Sequence, residues 1–141
     1  MSRHVVDASV AIKWFVEEVY ADHARRLQDD EYDLLAPGLF WPESGNILWK
    51  KVQRGELTAE EARLIRKGLE KQPIHTFPSG LVLEPALEIA IETGRTVYDA
   101  CYLALAMLIG CPLVTADRRL FNSLQGSRYD QHLRWIADLA G

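Results

Sequence analysis

Tyr98-Asp99-Ala100-Cys101-Tyr102-Leu103-Ala104-Leu105-Ala106-Met107-Leu108-Ile109-Gly110-Cys111-Pro112-Leu113-Val114-Thr115-Ala116-Asp117 carries no charge between its second and its last residue. The uncharged run is slightly shorter than the roughly 20 residues a membrane helix needs, and Gly110 and Pro112 divide it. Tyr98 to Ile109 has a helical length and is apolar nearly all round, the mark of a helix packed between other elements. Pro112-Leu113-Val114-Thr115 is a short strand, followed by Ala116 and Asp117. A buried helix leading straight into a strand that ends in an acid belongs to an α/β fold.

The same ending occurs at the start of the chain, where the β-branched strand His4-Val5-Val6 runs into Asp7. If the two strands are parallel neighbours, the carboxyl ends of an α/β sheet place Asp7 and Asp117 over one crevice. Asp99, at the tip of the long helix, aims a third carboxylate toward those ends. An acid there is also an ordinary helix cap, and capping is compatible with metal binding.

Between these landmarks strands and helices alternate. Ser9 to Glu17 has helical spacing, and Tyr20 to Asp30 reads as a solvated amphipathic helix. Asp33-Leu34-Leu35-Ala36 is a strand stopped by Pro37-Gly38. Leu39 to Arg54 is a helix with Trp41, Ile47, Leu48 and Trp49 on its apolar side and Gly55 placed to end it. Thr58-Ala59-Glu60-Glu61 is a capping box opening a helix to about Gln72, before Pro73. Ile74-His75-Thr76-Phe77 is a strand, Leu81 to Thr93 a helix ended by Gly94, and His132 to Ile136 an edge strand followed by a short tail from Ala137 to Gly141. This order predicts a three-layer α/β/α architecture, a central mostly parallel sheet flanked by helices, in a single domain over residues 1–141.

The chain has 141 residues, 48% hydrophobic and 26% charged, the range of an ordinary globular domain able to bury a core without cross-links. Cys101 and Cys111 lie in apolar sequence without metal-ligand spacing and read as small buried hydrophobes, which favours a reducing cytoplasm. Neither a secretory leader nor a membrane span is expected. The net charge of −4 argues against a general polyanion-binding surface. Without Asp7, Glu43, Asp99 and Asp117 the remainder is neutral, so a metal-filled acidic pocket with a local basic rim still admits nucleic acid.

Glu43 and Asn46 share a helix face and present a carboxylate and an amide to the same side. Ser9 and Thr115 are also common turn and cap residues. Oxygen donors at high negative charge density suit Mg²⁺ or Mn²⁺. Such a site activates water and stabilises the oxygens of a phosphodiester undergoing hydrolysis. The four histidines show no spacing of a ligand pair, and the four tryptophans are expected in the core or at a subunit interface.

Four segments in order, Val5-Val6-Asp7-Ala8-Ser9-Val10, Glu43-x-x-Asn46-x-Leu48, Tyr98-Asp99-Ala100-x-Tyr102-Leu103-Ala104-Leu105-Ala106 and Leu113-Val114-Thr115-Ala116-Asp117, resemble the PIN-domain ribonucleases, and among them the VapC-like toxins of type II toxin-antitoxin pairs. The resemblance spans nearly the whole chain. It implies Asp7, Glu43 and Asp99 as principal catalytic and metal-binding acids, Asp117 as a further one, and Ser9, Asn46 and Thr115 in support. It implies RNA as substrate, Mg²⁺ or Mn²⁺ as cofactor, and an antitoxin and a second copy as partners. One departure stands out: Ser44-Gly45 follows Glu43 where the family has aliphatic residues, and a mid-helix glycine costs about 1 kcal/mol relative to alanine. Lys13, Lys50, Lys51, Arg54, Arg118 and Arg119 lie near the acid-bearing segments as phosphate-binding candidates.

Other readings are weaker. An aspartyl-phosphate phosphatase would place a second acid where Ser9 stands, and a receiver domain needs an acid pair and a late lysine that are missing. The alternative of a different class is a PIN-like scaffold that binds RNA or protein without cutting.

Overall fold

Val5 and Val6, fully buried, lie in the central strand of a five-stranded sheet. In the computed structural model, which describes residues 2–139, the strands are β1 (Ser2–Val6), β2 (Tyr32–Pro37), β3 (Ile74–Phe77), β4 (Leu113–Thr115) and β5 (Leu133–Trp135). Their order is β3-β2-β1-β4-β5, and every pairing is parallel. Both faces of the sheet are covered, which is why Leu34-Leu35-Ala36 and Leu113-Val114 are buried without a polar alternation.

The helices are α1 (Ala8–Ile12), α2 (Ala21–Arg25), α3 (Phe40–Gln53), α4 (Ala59–Glu70), α5 (Leu83–Thr93), α6 (Val97–Ile109) and α7 (Arg118–Leu124). The chain steps outward from β1 through β2 to β3, then returns past β1 to β4 and β5. With right-handed crossovers, that reversal puts the helices before β3 on one face and those after it on the other. The contacts agree: α1 packs on α3 and α4, whereas α5 packs on α6, and α6 lies along β1, β2 and β4. Ala100 to Ala106 are all buried, as the all-round apolar pattern requires.

Several elements match the sequence closely. The capping box is formed, with Glu61 N–H donating to Thr58 Oγ1 at 3.1 Å and Thr58 N–H to Glu61 Oε1 at 2.8 Å. Gly94 ends α5 with φ 76°, a left-handed conformation suited to glycine. Cys101 and Cys111 are free and buried.

Other expectations are corrected. The helix expected over Ser9 to Glu17 stops at Ile12, and residues 13–15 continue in tighter turns, each N–H bonding three residues back. Trp14 is thereby turned inward, its indole N–H donating to Ala24 O at 2.8 Å. The helix expected from Tyr20 to Asp30 is α2 followed by a 3₁₀ turn, Arg26–Gln28. On α3 the core face is Phe40, Ser44 and Leu48, while Trp41 and Trp49 are exposed. Trp14 and Trp135 are the tryptophans in the core. Of the tail expected after Ile136, Ala140 and Gly141 lie outside the described residues. Among the described residues no helix is long and apolar enough to cross a membrane.

Candidate active site

The strand order reverses between β1 and β4, and in such sheets the crevice beyond the carboxyl ends of the two strands is the binding position. Val5 and Val6 pair in register with Leu113 and Val114, so Asp7 and Asp117 leave the sheet at the same end, Asp117 two positions further along its chain. Each then caps a helix. Asp7 is the N-cap of α1, accepting at Oδ1 from Val10 N–H (2.9 Å) and from the Ser9 hydroxyl (2.8 Å). Asp117 is the N-cap of α7, its Oδ1 accepting from Leu120 N–H at 3.1 Å. Asp117 N–H donates to the buried Thr115 hydroxyl at 3.0 Å. Ser9 and Thr115, the two hydroxyls expected in support, thus each hydrogen-bond to an atom of one of these acids.

Glu43 and Asp99 complete the group from opposite faces of the sheet, each in the first turn of its helix. Asp99 is not the cap of α6. That role belongs to Thr96, whose hydroxyl accepts from Asp99 N–H at 3.1 Å, leaving the Asp99 carboxylate available for other partners. Glu43 accepts at Oε1 from the Tyr102 hydroxyl at 3.0 Å, a bond across 59 positions of sequence. All four acids thus stand at helix N-termini, where the backbone dipole favours negative charge. Asn46 is exposed and lines a groove with Leu39, Pro42, Glu43 and Tyr98.

The acids act on one another. Burial pushes the Asp7 carboxyl up to about 6; Val10 and Ser9 oppose the rise, and the charges of Asp99 and Asp117 add to it. Burial pushes Glu43 up to about 7 against the Tyr102 hydrogen bond, with Asp7 and Asp99 adding to the rise. Burial and the Glu43 and Asp7 charges raise the Tyr102 hydroxyl, so it remains a donor throughout the working range. Two carboxylates held near neutrality by burial and like charge form a site that a divalent cation would relieve.

Among the described residues, no three His, Cys, Asp or Glu side chains are already closed to the spacing that holds a metal ion. The donor chemistry nevertheless fits a hard cation: it is all oxygen, and among the described residues no hydrogen bond reaches Asp7 Oδ2, Glu43 Oε2 or Asp99 Oδ1.

Two contributors went unassigned in the sequence. Tyr102 lies three residues after Asp99, on the same helix face, which is a usable signal. Arg95 donates from Nη2 to Asp99 Oδ2 at 3.0 Å and lies 3.6 Å from Asp117 Oδ2; its spacing of four from Asp99 is the only local hint. Of the basic candidates, Lys13 and Lys51 are both tied to Glu18, at 3.2 and 2.8 Å, and are largely covered. Lys50, Arg54, Arg118 and Arg119 are exposed. Arg118 is stacked 4.0 Å over the Trp135 ring.

Comparison with known proteins gives concordant results. A family model described as the PIN domain matches residues 4–126. Ribonuclease VapC3 of Pyrobaculum aerophilum is 37% identical over 120 residues, 82% of this chain and 90% of that one. The crystal structure of PAE2754 from Pyrobaculum aerophilum superposes with a TM-score of 0.69 at 27% identity, covering 96% of this chain and 85% of the other. A toxin-antitoxin complex from Klebsiella pneumoniae contains a chain of the same fold, with a TM-score of 0.65 at 14% identity over 96% of this chain and 99% of that one.

Proposed function

The chain belongs to the PIN-domain family and, within it, to the VapC ribonucleases, and on that premise we propose that it is a metal-dependent endoribonuclease, the toxin of a type II toxin-antitoxin pair. The observation that supports this chemistry is that Asp7, Glu43, Asp99 and Asp117 stand at four helix N-termini, with the charges of Asp99 and Asp117 adding to the rise at Asp7 and those of Asp7 and Asp99 to the rise at Glu43. An acidic pocket repels a polyanion, so RNA can enter only with a cation in place.

Asp7, Glu43 and Asp99 are the side chains that would hold Mg²⁺ or Mn²⁺. When bound, such an ion makes water a nucleophile near neutral pH and offsets charge on the phosphodiester. The protein's own part is orientation. Ser9 and Val10 fix Asp7 Oδ1, and Tyr102 fixes Glu43 Oε1, so each acid keeps its second oxygen without a hydrogen bond among the described residues. Arg119, Lys50 and Arg54 are exposed and are the basic side chains this reading assigns to the RNA backbone.

The same reading includes an antitoxin as partner, a second copy of the chain and a cytoplasmic location. Self-association is supported by Leu83, Leu87 and Ile91, spaced by four along α5 and each about half exposed or more. The two unpaired cysteines accord with a reducing compartment.

Purified protein freed of antitoxin and incubated with cellular RNA, with and without Mg²⁺ or Mn²⁺, tests the activity. Cleavage that requires metal and is absent in folded Asp7→Asn and Asp99→Asn supports the nuclease. RNA left intact under every divalent ion would favour the non-cutting scaffold instead.

A further inference from the structure

Arg95 is the single residue between Gly94, which ends α5, and Thr96, which caps α6. Its backbone N–H donates to Thr93 Oγ1 at 3.2 Å, and that hydroxyl donates to Ile89 O at 2.7 Å, so the turn is fixed to the last residues of α5. The side chain lines a small niche with Ile89, Leu103, Leu120 and Leu124, drawn from α5, α6 and α7. Its Nε is buried without a hydrogen-bond partner among the described residues. Leaving a donor unpaired is unfavourable, and the arrangement persists because the far end of the guanidinium meets two carboxylates. Nη2 lies 3.0 Å from Asp99 Oδ2 and 3.6 Å from Asp117 Oδ2.

The consequence is an asymmetry among the four acids. Asp7, Glu43 and Asp99 each have one oxygen engaged by the protein and one without a hydrogen bond. Asp117 has Oδ1 on Leu120 N–H and Oδ2 facing the guanidinium. A two-ion site for phosphodiester hydrolysis would hold its ions about 3.5 to 4 Å apart, and so would need carboxylates for both. A second ion held by Asp99 and Asp117 would have to compete with the Arg95 guanidinium, which already meets both carboxylates. Four carboxylates and Arg95 sum to −3, and one divalent ion leaves a residual charge of −1, against −2 without Arg95, so the guanidinium weakens the pull on a second ion.

Resting on the metal-centre reading above, we infer that Arg95 is a resident cation that takes the place of a second metal ion, so that the site binds one divalent ion through Asp7, Glu43 and Asp99 while Asp117 serves to hold Arg95. Arg95 is a positioning residue in this scheme.

The test is direct metal binding to the purified full chain, by calorimetry and by the Mn²⁺ electron paramagnetic resonance signal, together with melting in metal-free buffer. Wild type is expected to bind one Mn²⁺ per chain. Arg95→Met keeps an apolar stem in the niche and is expected to bind two, the second lost again in Arg95→Met with Asp117→Asn. Arg95→Lys, which retains the charge, is expected to bind one. In metal-free buffer Arg95→Met should melt below wild type, with Asp117→Asn restoring part of the loss. Two ions in wild type, or one ion in Arg95→Met with unchanged affinity, overturns the role of Arg95 and leaves the metal centre standing. No Mn²⁺ binding by wild type or any variant removes the metal centre itself, and this inference with it.

Discussion

Replacing Asp7 by Asn should stabilise the metal-free protein, and only where Asp7 would be charged. In the folded chain burial and the neighbouring acids lift the Asp7 carboxyl from 3.8 to about 6. A rise of about two units corresponds to roughly 3 kcal/mol of native-state cost for the charged form, at 1.36 kcal/mol per unit. Because the folded value lies above the unfolded one, the associated stability is fully present below about pH 4 and is lost as pH rises through about 6. Asn is as good a helix N-cap as Asp and keeps Val10 and Ser9 as donors, so the substitution removes the charge without removing the cap. At pH 8 the gain should reach up to about 3 kcal/mol, or roughly 10 °C in melting temperature for a domain of this size. At pH 4 most of it should be gone. Thermal melts of both proteins in chelator-treated buffer across this range measure it, and millimolar Mn²⁺ should then stabilise the wild type more than the variant. A variant that melts below wild type at pH 8, or a gain equal at pH 4 and pH 8, would refute the electrostatic account and assign Asp7 to structure.

Three further outcomes are expected. Tyr102→Phe removes the 3.0 Å bond that orients Glu43 and should weaken Mn²⁺ binding about tenfold; an unchanged dissociation constant by calorimetry would remove Tyr102 from the site. Since Asp7 and Glu43 titrate at about 6 and about 7 in the absence of metal and must give up protons to bind it, apparent Mn²⁺ affinity should climb between pH 5 and pH 8, and a flat profile would contradict the shifts. The two mid-helix glycines should respond oppositely to alanine. Gly45 has open space around a built Cβ and should gain about 0.5–1 kcal/mol, whereas at Gly68 the Cβ would stand 2.8 Å from Phe15 Cε1, so Gly68→Ala should lose stability despite the same propensity gain. Denaturation midpoints separate the two.

The Gly45 result bears on Ser44-Gly45, the departure from the family pattern after Glu43. Ser44 is buried with its hydroxyl donating to Phe40 O at 2.6 Å, and Gly45 faces outward, so neither residue moves Glu43 away from Tyr102. The helix tolerates the substitution because the face that carries Leu48 and Phe40 into the core is intact.

Local signals were legible wherever the physics is local. The Thr58 capping box, the glycine stop at Gly94, the strand before Asp7 and the buried helix before Gly110 are each specified within a few residues, by caps, turn conformation and apolar periodicity. Asp7 and Asp117 were visible along the chain as acids that follow strands, whereas Glu43 and Asp99 were singled out by helix position and by the family resemblance. Strand order, and with it which acids meet, followed only from the direction in which the crossovers ran. The end of α1 at Ile12, the exposure of Trp41 and Trp49, the bond from Tyr102 to Glu43 and the reach of Arg95 to Asp117 were all decided by tertiary structure. A periodic pattern records how one segment faces its surroundings, whereas a pair of side chains from distant segments depends on the register and packing of every element between them.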